Sequence, residues 1–304
     1  MAMITTTWSM FRSRYGITIG IVWLSFMQAF FFGCQEKQPV SFPKPVQTLL
    51  KPKTVRHTIA QSEGWQPKDF FQAEESRRIC EAISAGDQVT LERLLKQSPD
   101  VNVTGKYGLT LLHWAFAEEN MGAFQTLLKN GANPDLKLSE NVPHKIYDVT
   151  FVEDSNIFFS SIQCLRPAYC TAALPYSDDP KQPILGGSSM LHLILSRMPC
   201  PANEEDIDAM LKHGIEVNTQ GAFGYTPCHW AVHNAPRLCV PLLEAGADPS
   251  IQDEKGRDVA DAVDFQIAEA QKLGRNIQEY EPVIEWLSEN YRPIDTQRPS
   301  GNAP

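Results

Sequence analysis

The residues best suited to chemistry in this 304-residue chain are histidines that recur in a fixed context. His113, His192 and His229 each follow a threonine or a serine by three residues, and His233 follows His229 by four. Histidines four residues apart share one face of a helix, as in the zinc-binding pattern His-Glu-x-x-His. Tryptophan stands in place of the glutamate here, and no third ligand accompanies the pair. The spacing therefore predicts structural histidines and no metal site.

Nucleophilic catalysis is the second chemistry to consider, because glycines and serines meet at Gly186-Gly187-Ser188-Ser189. This run lacks the Gly-x-Ser-x-Gly spacing that exposes a catalytic serine on a strand-to-helix turn. The chain also contains no phosphate-binding loop and no dinucleotide fingerprint. We expect neither a catalytic residue nor a cofactor, and the protein is predicted not to be an enzyme.

The charge balance bears on the class of partner. Lysine and arginine number 27, aspartate and glutamate number 36, and the net charge is −9. A nucleic-acid-binding surface needs a basic face to neutralise phosphates, so nucleic acid is not expected as a partner. An acidic surface favours a basic protein partner.

The amino terminus has the layout of a signal sequence. Arg12 and Arg14 precede an uncharged, mostly apolar run over 15–32, and Gly33-Cys34 then leads into polar sequence. This pattern resembles a bacterial lipoprotein signal. The resemblance implies that residues 1–33 are removed and that Cys34 is lipidated, which attaches the protein to a membrane. An uncleaved anchor is the alternative, because the 18 residues of the run can just span a bilayer.

Polar, proline-rich sequence follows the cysteine. Gln35, directly after Cys34, indicates by the sorting rule of such lipoproteins an outer-membrane protein that faces the periplasm. Five prolines between positions 39 and 67 predict a semi-extended tether over 34–70, with a reach of about 3 Å per residue. The end of the chain, 293–304, is predicted to be a disordered tail.

One stretch of sequence recurs along the chain. Residues 110–115 read Thr-Leu-Leu-His-Trp-Ala, and residues 226–231 read Thr-Pro-Cys-His-Trp-Ala. Each is followed by a Leu-Leu pair and then by Gly-Ala-Asn or Gly-Ala-Asp. Partial copies begin near 77, 189 and 258, and the steps from 77 to 110 and from 226 to 258 are 33 and 32 residues. The pattern resembles the ankyrin repeat, a helix–turn–helix unit of about 33 residues.

The resemblance implies an all-α repeat solenoid of about five helix pairs, because a single repeat cannot bury its apolar face alone. The ankyrin-repeat domain is expected over 71–292, with units at about 77–109, 110–142, 189–225, 226–257 and 258–291. Residues 137–187 interrupt the register and are predicted to form a long, irregular insert rich in aromatic residues. The last unit loses the consensus and is predicted to be a helical cap.

Two of the seven cysteines lie close together in this insert. Cys164 and Cys170 are six residues apart, and an exported protein meets an oxidising compartment that permits disulfides. The sequence therefore predicts a Cys164–Cys170 disulfide that pins the insert.

Ankyrin stacks bind other proteins through their finger tips and the exposed side of their first helices, which together form a concave face. The positions that the resemblance places there carry aromatic and acidic side chains: Tyr107, Trp114, Glu118, Glu119, Phe223, Tyr225 and Trp230. Tryptophan and tyrosine are frequent anchors of protein interfaces. The alternative for Trp114 and Trp230 is packing between adjacent first helices.

A lipid anchor and a binding stack without catalytic groups predict a non-enzymatic, protein-binding lipoprotein of the cell envelope. The favoured hypothesis is an immunity protein that neutralises an antibacterial effector in the periplasm. Its layout resembles that of lipoproteins encoded beside phospholipase effectors of type VI secretion systems. An envelope scaffold or assembly factor is the alternative.

Lipidation of Cys34 has a direct test. Palmitate labelling of cells is expected to mark the wild-type protein, and Cys34→Ala is expected to abolish the label and the processing, because the cysteine carries the lipid. The intact mass of purified wild-type protein decides between the alternatives. A chain that keeps residues 1–33 is an uncleaved anchor.

Overall fold

Side-chain caps set the start of the helices that carry the recurring motif. The computed structural model describes residues 57–97, 100–144, 150–182, 184 and 189–292. In these ranges the hydroxyls of Thr110, Ser189 and Thr226 each accept a hydrogen bond from the backbone N–H of the histidine three residues later. Each helix therefore begins directly after its threonine or serine, as the motif predicts.

The described part of the chain holds fourteen α-helices and no strand beyond an isolated bridge between Thr104 and Thr110. Helices α1 (Ile59–Glu63) and α2 (Pro67–Phe70) come first. The other twelve form six pairs, here called units 1 to 6: α3 (Glu74–Ala85) with α4 (Gln88–Gln97), α5 (Leu111–Ala117) with α6 (Met121–Lys129), α7 (Ile157–Gln163) with α8 (Pro167–Ala173), α9 (Met190–Leu195) with α10 (Glu204–Lys212), α11 (Pro227–Asn234) with α12 (Cys239–Glu244), and α13 (Val259–Lys272) with α14 (Glu281–Asn290).

The units stack in chain order. Each first helix contacts the first helix of the next unit, and each second helix contacts the second helix of the next. Ala115 and Ala231, on α5 and α11, are fully buried where the neighbouring first helix packs closely. Leu127 and Leu128 on α6 are likewise buried. The result is one continuous apolar core that no unit could form alone, and the predicted all-α ankyrin solenoid is confirmed.

The predicted irregular insert over 137–187 is wrong in its central part, because α7 and α8 form a further unit of the stack. Asn156 caps α7 by accepting from the N–H of Phe159, as Thr110 caps α5. Ser161 is fully buried at the position that Ala115 holds in unit 2. Asn156 precedes Ser189, the next cap, by 33 residues, which is one repeat. The stack therefore contains six units rather than five.

The consensus pattern does not detect unit 3, because other residue types cap and pack its helices. An asparagine replaces the capping threonine, Phe159 replaces the histidine, and a buried serine replaces the small alanine. Leu165 takes the left-handed backbone conformation, with φ 56°, that Glu119 takes at φ 50° between the helices of unit 2. What is long is the finger before unit 3, where Leu138 pairs with Ser155 and Val142 with Phe151 through backbone hydrogen bonds.

The predicted Cys164–Cys170 disulfide is not formed in this structure, and both cysteines are free. Cys164 ends α7, and its Sγ lies 3.6 Å from Oγ1 of Thr150. Cys170 lies on the buried side of α8, and its Sγ is 3.8 Å from Sδ of Met190 in unit 4. In this regular helix pair the two thiols contact different neighbours. The helices pack as a unit of the stack, so no disulfide is needed to hold them.

The folded domain begins earlier than predicted. Helices α1 and α2 lie inside the segment predicted as tether, 34–70, and the compact unit starts at His57. Trp65, Phe70 and Phe71 in this segment are 9, 5 and 2% exposed, so they belong to the core. Among the described residues no helix is long and apolar enough to cross a bilayer. The predicted signal, Cys34 and the tail over 293–304 lie outside the described residues.

A matched pair of glycine substitutions tests the docking of α1 and α2. A Cβ atom on Gly105 would lie 2.7 Å from the carbonyl oxygen of Phe70 and 3.0 Å from the Phe71 ring. Gly105→Ala is therefore expected to lower the free energy of unfolding by about 1–3 kcal/mol, as overpacking does. Gly122, in α6, has room for a Cβ, and Gly122→Ala is expected to raise it by up to about 1 kcal/mol.

Urea denaturation of both variants provides the measurement. Digestion of the native proteins should cut Gly105→Ala, but not Gly122→Ala, more readily within 57–72. Equal stability of the two variants would show that the segment does not pack against Gly105.

Candidate functional site: the concave face

The concave face is built from the first helices and from the fingers that precede them. Three fingers are closed by backbone hydrogen bonds of the same type: Gly105 to Leu109, Gly221 to Tyr225, and Asp253 to Arg257. Tyr107 and Phe223 occupy the same finger position and share a left-handed backbone, with φ of 65° and 64°. An aromatic residue in this conformation is strained, and it places a large ring at the finger tip twice.

Two of the three motif histidines, His192 and His229, link their own cap to the following finger. Nδ1 of His192 and of His229 lies within 2.8 Å of the capping hydroxyl, and Nε2 lies 3.0 Å and 3.2 Å from the backbone oxygens of Tyr225 and Arg257. His113 pairs with Thr110 in the same way, but its buried Nε2 has no partner within the described ranges. No cluster of metal-ligating side chains exists among the described residues. The histidines hold neighbouring units in register.

The long finger before unit 3 explains the unpartnered nitrogen of His113. The next cap is displaced along the chain, and the Phe151 ring faces the imidazole at 6.4 Å. Burial lowers the pKa of His113 to about 4. Burial also lowers the pKa of His233 to about 4, with Arg257 adding to the effect. Both imidazoles are therefore neutral at neutral pH.

The chain itself covers the first half of the concave face. The segment His57–Gln72, here called the N-terminal segment, contacts α5 through α1 and contacts the finger 106–108 through α2. The Phe70 ring lies 5.9 Å from Trp114 and 6.3 Å from Tyr107. The Trp65 ring packs at 5.3 Å against Phe151 of the long finger. Tyr107 is half-buried, and the Phe70 ring covers part of it.

The predicted role of Trp114 in partner binding is wrong. Its side chain is 0% exposed, and its Nε1 donates to the carbonyl oxygen of Cys80 at 3.2 Å and to Oγ of Ser84 at 3.1 Å. Both acceptors belong to α3, the preceding first helix. Trp114 packs between adjacent first helices, which is the alternative that the sequence left open.

The two glutamates predicted to face a partner are occupied within the chain. Glu118 accepts hydrogen bonds from Oγ1 of Thr58 at 3.0 Å and from Oγ of Ser84. Glu119 forms an ion pair with Arg166 of unit 3, with 2.8 Å between Oε1 and Nη2. Their negative charge stabilises the N-terminal segment and unit 3, so they do not form a free acidic surface.

The second half of the concave face is open. Phe223 and Phe265 are 47% and 44% exposed, while Tyr225 and Trp230 are half-buried. These four residues are here called the aromatic patch. The Tyr225 ring joins the patch together, since it lies 5.9 Å from Phe223 and 5.3 Å from Trp230. Of the seven predicted residues, the three in units 4 to 6 therefore remain accessible.

Arg257 and the histidines fix the shape of the patch. The Tyr225 ring stacks on His229 and on His233 at 5.5 Å and 5.2 Å. Arg257 donates to the Tyr225 hydroxyl at 3.1 Å, lies over the Phe265 ring at 5.3 Å and pairs with Asp253 at 2.7 Å. Its charge is thus neutralised locally. The patch is a rigid apolar surface with polar edges, which is the arrangement of a protein-interface core.

Two features of this face were not predicted. The N-terminal segment was assigned to the tether, although Trp65 and the Phe70-Phe71 pair are unusual in a solvated linker and signalled a packed segment. Phe265 lies in the unit that lost the consensus, so the repeat pattern gave no position for it. It reaches the patch only because α13 stacks on α11.

Comparison with known proteins agrees with this architecture. The family model "Ankyrin repeat" matches residues 107–137 and 223–254. The chain contains ankyrin repeats. An ankyrin and IPT/TIG repeat-containing protein of Schizosaccharomyces pombe is 26% identical over 168 residues, which are 55% of this chain and 13% of that protein. Neurogenic locus notch homolog protein 1 of Homo sapiens is 47% identical over 47 residues, 16% of this chain and 2% of that protein.

Solved structures place the fold in the same group. An ankyrin repeat domain from Acinetobacter baumannii has a TM-score of 0.51 at 18% identity and covers 69% of this chain and 97% of its own. A complex of the predatory endopeptidase Bd0816 of Bdellovibrio bacteriovorus with the immunity protein Bd3460 has a TM-score of 0.48 at 17% identity, with 70% and 98% covered. A score this low carries no functional argument. Ankyrin repeats are protein-interaction modules and generally do not catalyse reactions.

The buried His113 makes stability depend on pH in a defined direction. Its pKa is about 4 in the folded protein and near 6.5 when unfolded, so protons bind preferentially to the unfolded chain. The contribution of the neutral imidazole is complete above pH 6.5 and is lost as the pH falls through 4. The expected loss over this window is about 3 kcal/mol.

Phe159 stands at this position in unit 3, so His113→Phe is a substitution that the fold already accepts. Urea denaturation between pH 7 and 4 should show a smaller decrease for His113→Phe than for the wild type. Identical pH profiles for the two proteins would mean that His113 is not buried as a neutral group.

Proposed function

We propose that this ankyrin-repeat protein is a lipid-anchored immunity protein that neutralises an antibacterial effector in the periplasm. The observation that carries the proposal is the aromatic patch of Phe223, Tyr225, Trp230 and Phe265, which stays open on a fold whose general role is protein binding. The effector binds across this open half of the concave face, and the bound stack blocks the approach to the effector's active site.

The energetics of such an interface favour the patch over the glutamates. A neutralising complex must be tight, and most of the free energy of binding comes from a few aromatic anchors that lose water on association. Trp230 and Phe223 supply accessible rings that are already held in place, so little conformational entropy is lost when a partner binds. Glu118 and Glu119 bond within the chain and do not select a basic effector.

The signal-like amino terminus supports the location and the class of target. A lipid on Cys34 keeps the protein at a membrane, where an effector that acts on membrane lipids must also arrive. Confinement to one surface raises the effective concentration of the inhibitor. The layout of signal, tether and ankyrin stack resembles that of lipoproteins encoded beside phospholipase effectors, so a phospholipase is the proposed target.

A competition assay tests the function in cells. A strain that lacks the gene is expected to be killed by sister cells that deliver the effector, and the wild-type gene on a plasmid is expected to restore survival. Cys34→Ala tests the need for the anchor in the same assay. Equal survival of the deletion strain would reject immunity and would favour the envelope scaffold.

Substitution of Trp230 tests the surface. Trp230→Ala is expected to weaken the complex with the effector by about 2 kcal/mol or more, because a half-buried anchor is removed. Val89→Ala is the control, since Val89 is a 78% exposed apolar residue on the second helix of unit 1. Calorimetric titration of both variants measures the difference. Equal affinities would move the binding surface away from the patch.

A further inference from the structure

Arg197 differs from the other arginines that pack against the stack. It follows α9 in unit 4, at the same repeat position as Glu118 in unit 2 and Cys164 in unit 3. Its backbone N–H bonds to the carbonyl oxygen of Ile194 at 3.4 Å, which fixes the main chain. The residue is half-buried and follows a first helix, the kind of helix that builds the concave face.

The guanidinium of Arg197 has no carboxylate partner among the described residues. Arg166, Arg257 and Arg292 pair with acidic groups at 2.8 Å, 2.7 Å and 2.9 Å, whereas no such ion pair includes Arg197. Its Nε–H is buried and donates to no acceptor in the described part of the chain. Burial lowers the pKa of the guanidinium, and the neighbouring Cys164 thiol is neutral at neutral pH because burial raises its pKa to about 11. A buried, unpaired cation destabilises the folded state, so its presence calls for a reason.

A second buried polar atom without a hydrogen-bond partner occurs in the neighbouring unit 3. Gln163 precedes Cys164, and its Oε1 is likewise buried without a partner in the described part of the chain. Leu193 lies on α9, just before the arginine, and Trp230 holds the corresponding position on α11. Met198, the next residue, is 73% exposed. The first helix before Arg197 and the next first helix of the stack thus both carry an apolar side chain at this position.

We infer that Arg197 is the receptor for a carboxylate of the bound protein. The inference rests on the protein-binding role proposed above and names the chemistry of the partner. The recognised segment carries an aspartate or a glutamate beside an apolar side chain. The carboxylate pairs with the Arg197 guanidinium, and the apolar group covers Trp230 and Phe223. The binding segment is therefore acidic and apolar, although the net charge of this chain suggested a basic partner.

The free protein gives the first test, through the sign of a stability change. Arg197→Met keeps an unbranched chain and removes an unpaired charge, so the melting temperature is expected to stay equal or to rise by a few degrees. Arg166→Met is the matched control, because it removes the ion pair with Glu119 and is expected to lower the melting temperature. A fall for Arg197→Met as large as that for Arg166→Met would show a structural role and would overturn the inference.

Peptide selection gives the second test. Phage that display random dodecapeptides are selected on the full chain. The enriched peptides are then synthesised with an amidated carboxyl terminus, so that a terminal carboxylate is excluded. The enriched set is expected to share an aspartate or a glutamate near an aromatic or aliphatic residue. Peptides without an acid, or binding that is indifferent to Arg197→Met, would contradict the inference.

A double-mutant cycle then isolates the pair. Replacement of the peptide's acid by its amide is expected to weaken binding to the wild type about tenfold or more, as for hydrogen bonds to charged groups. The same replacement should have no further effect on Arg197→Met. These results do not depend on the killing assay. Immunity can fail while the carboxylate site stands, and the site can fail while immunity stands.

Discussion

The structure depends on the burial of one helix face against the next unit. An ankyrin unit has two short helices and cannot remove its apolar side from water alone, so each first helix must accept another at close range. Ala115, Ser161 and Ala231 are small and fully buried for this reason. The capping side chain and the histidine three residues later then bond the unit to its own helix and to the following finger. Register, finger position and the concave face all follow from this contact.

The need to bury apolar surface also divides the concave face into a covered half and an exposed half. Among the described residues no unit of the stack precedes α3, and the N-terminal segment packs Phe70 over Trp114 and Tyr107. Apolar surface that a partner would have used is buried within the chain. In units 5 and 6 no such segment lies among the described residues, so Phe223 and Phe265 remain exposed. A repeat protein with two aromatic clusters thus presents one of them to other molecules.

The charged side chains near the concave face also differ in whether they have partners. The chain is acidic as a whole, but the acids nearest the concave face are engaged by Thr58, Ser84 and Arg166. Arg197 is left as a half-buried cation that has no acidic partner in the described part of the chain. Net charge describes long-range attraction and solubility, whereas the groups that remain unpaired decide what a surface can bind.

Sequence alone determined the repeat, its fold and the approximate boundaries of five units, because the cap, the small residue and the Leu-Leu pair must recur wherever helices stack. It could not reveal unit 3, since Asn156, Phe159 and Ser161 meet the same physical needs with other residue types. Nor could it decide between the two tryptophans. Trp114 and Trp230 stand in the same motif, and only the tertiary structure buries the first beneath Phe70 and leaves the second half-open. The exposure of a residue depends on which side chains pack over it. Those side chains come from positions far apart in the chain.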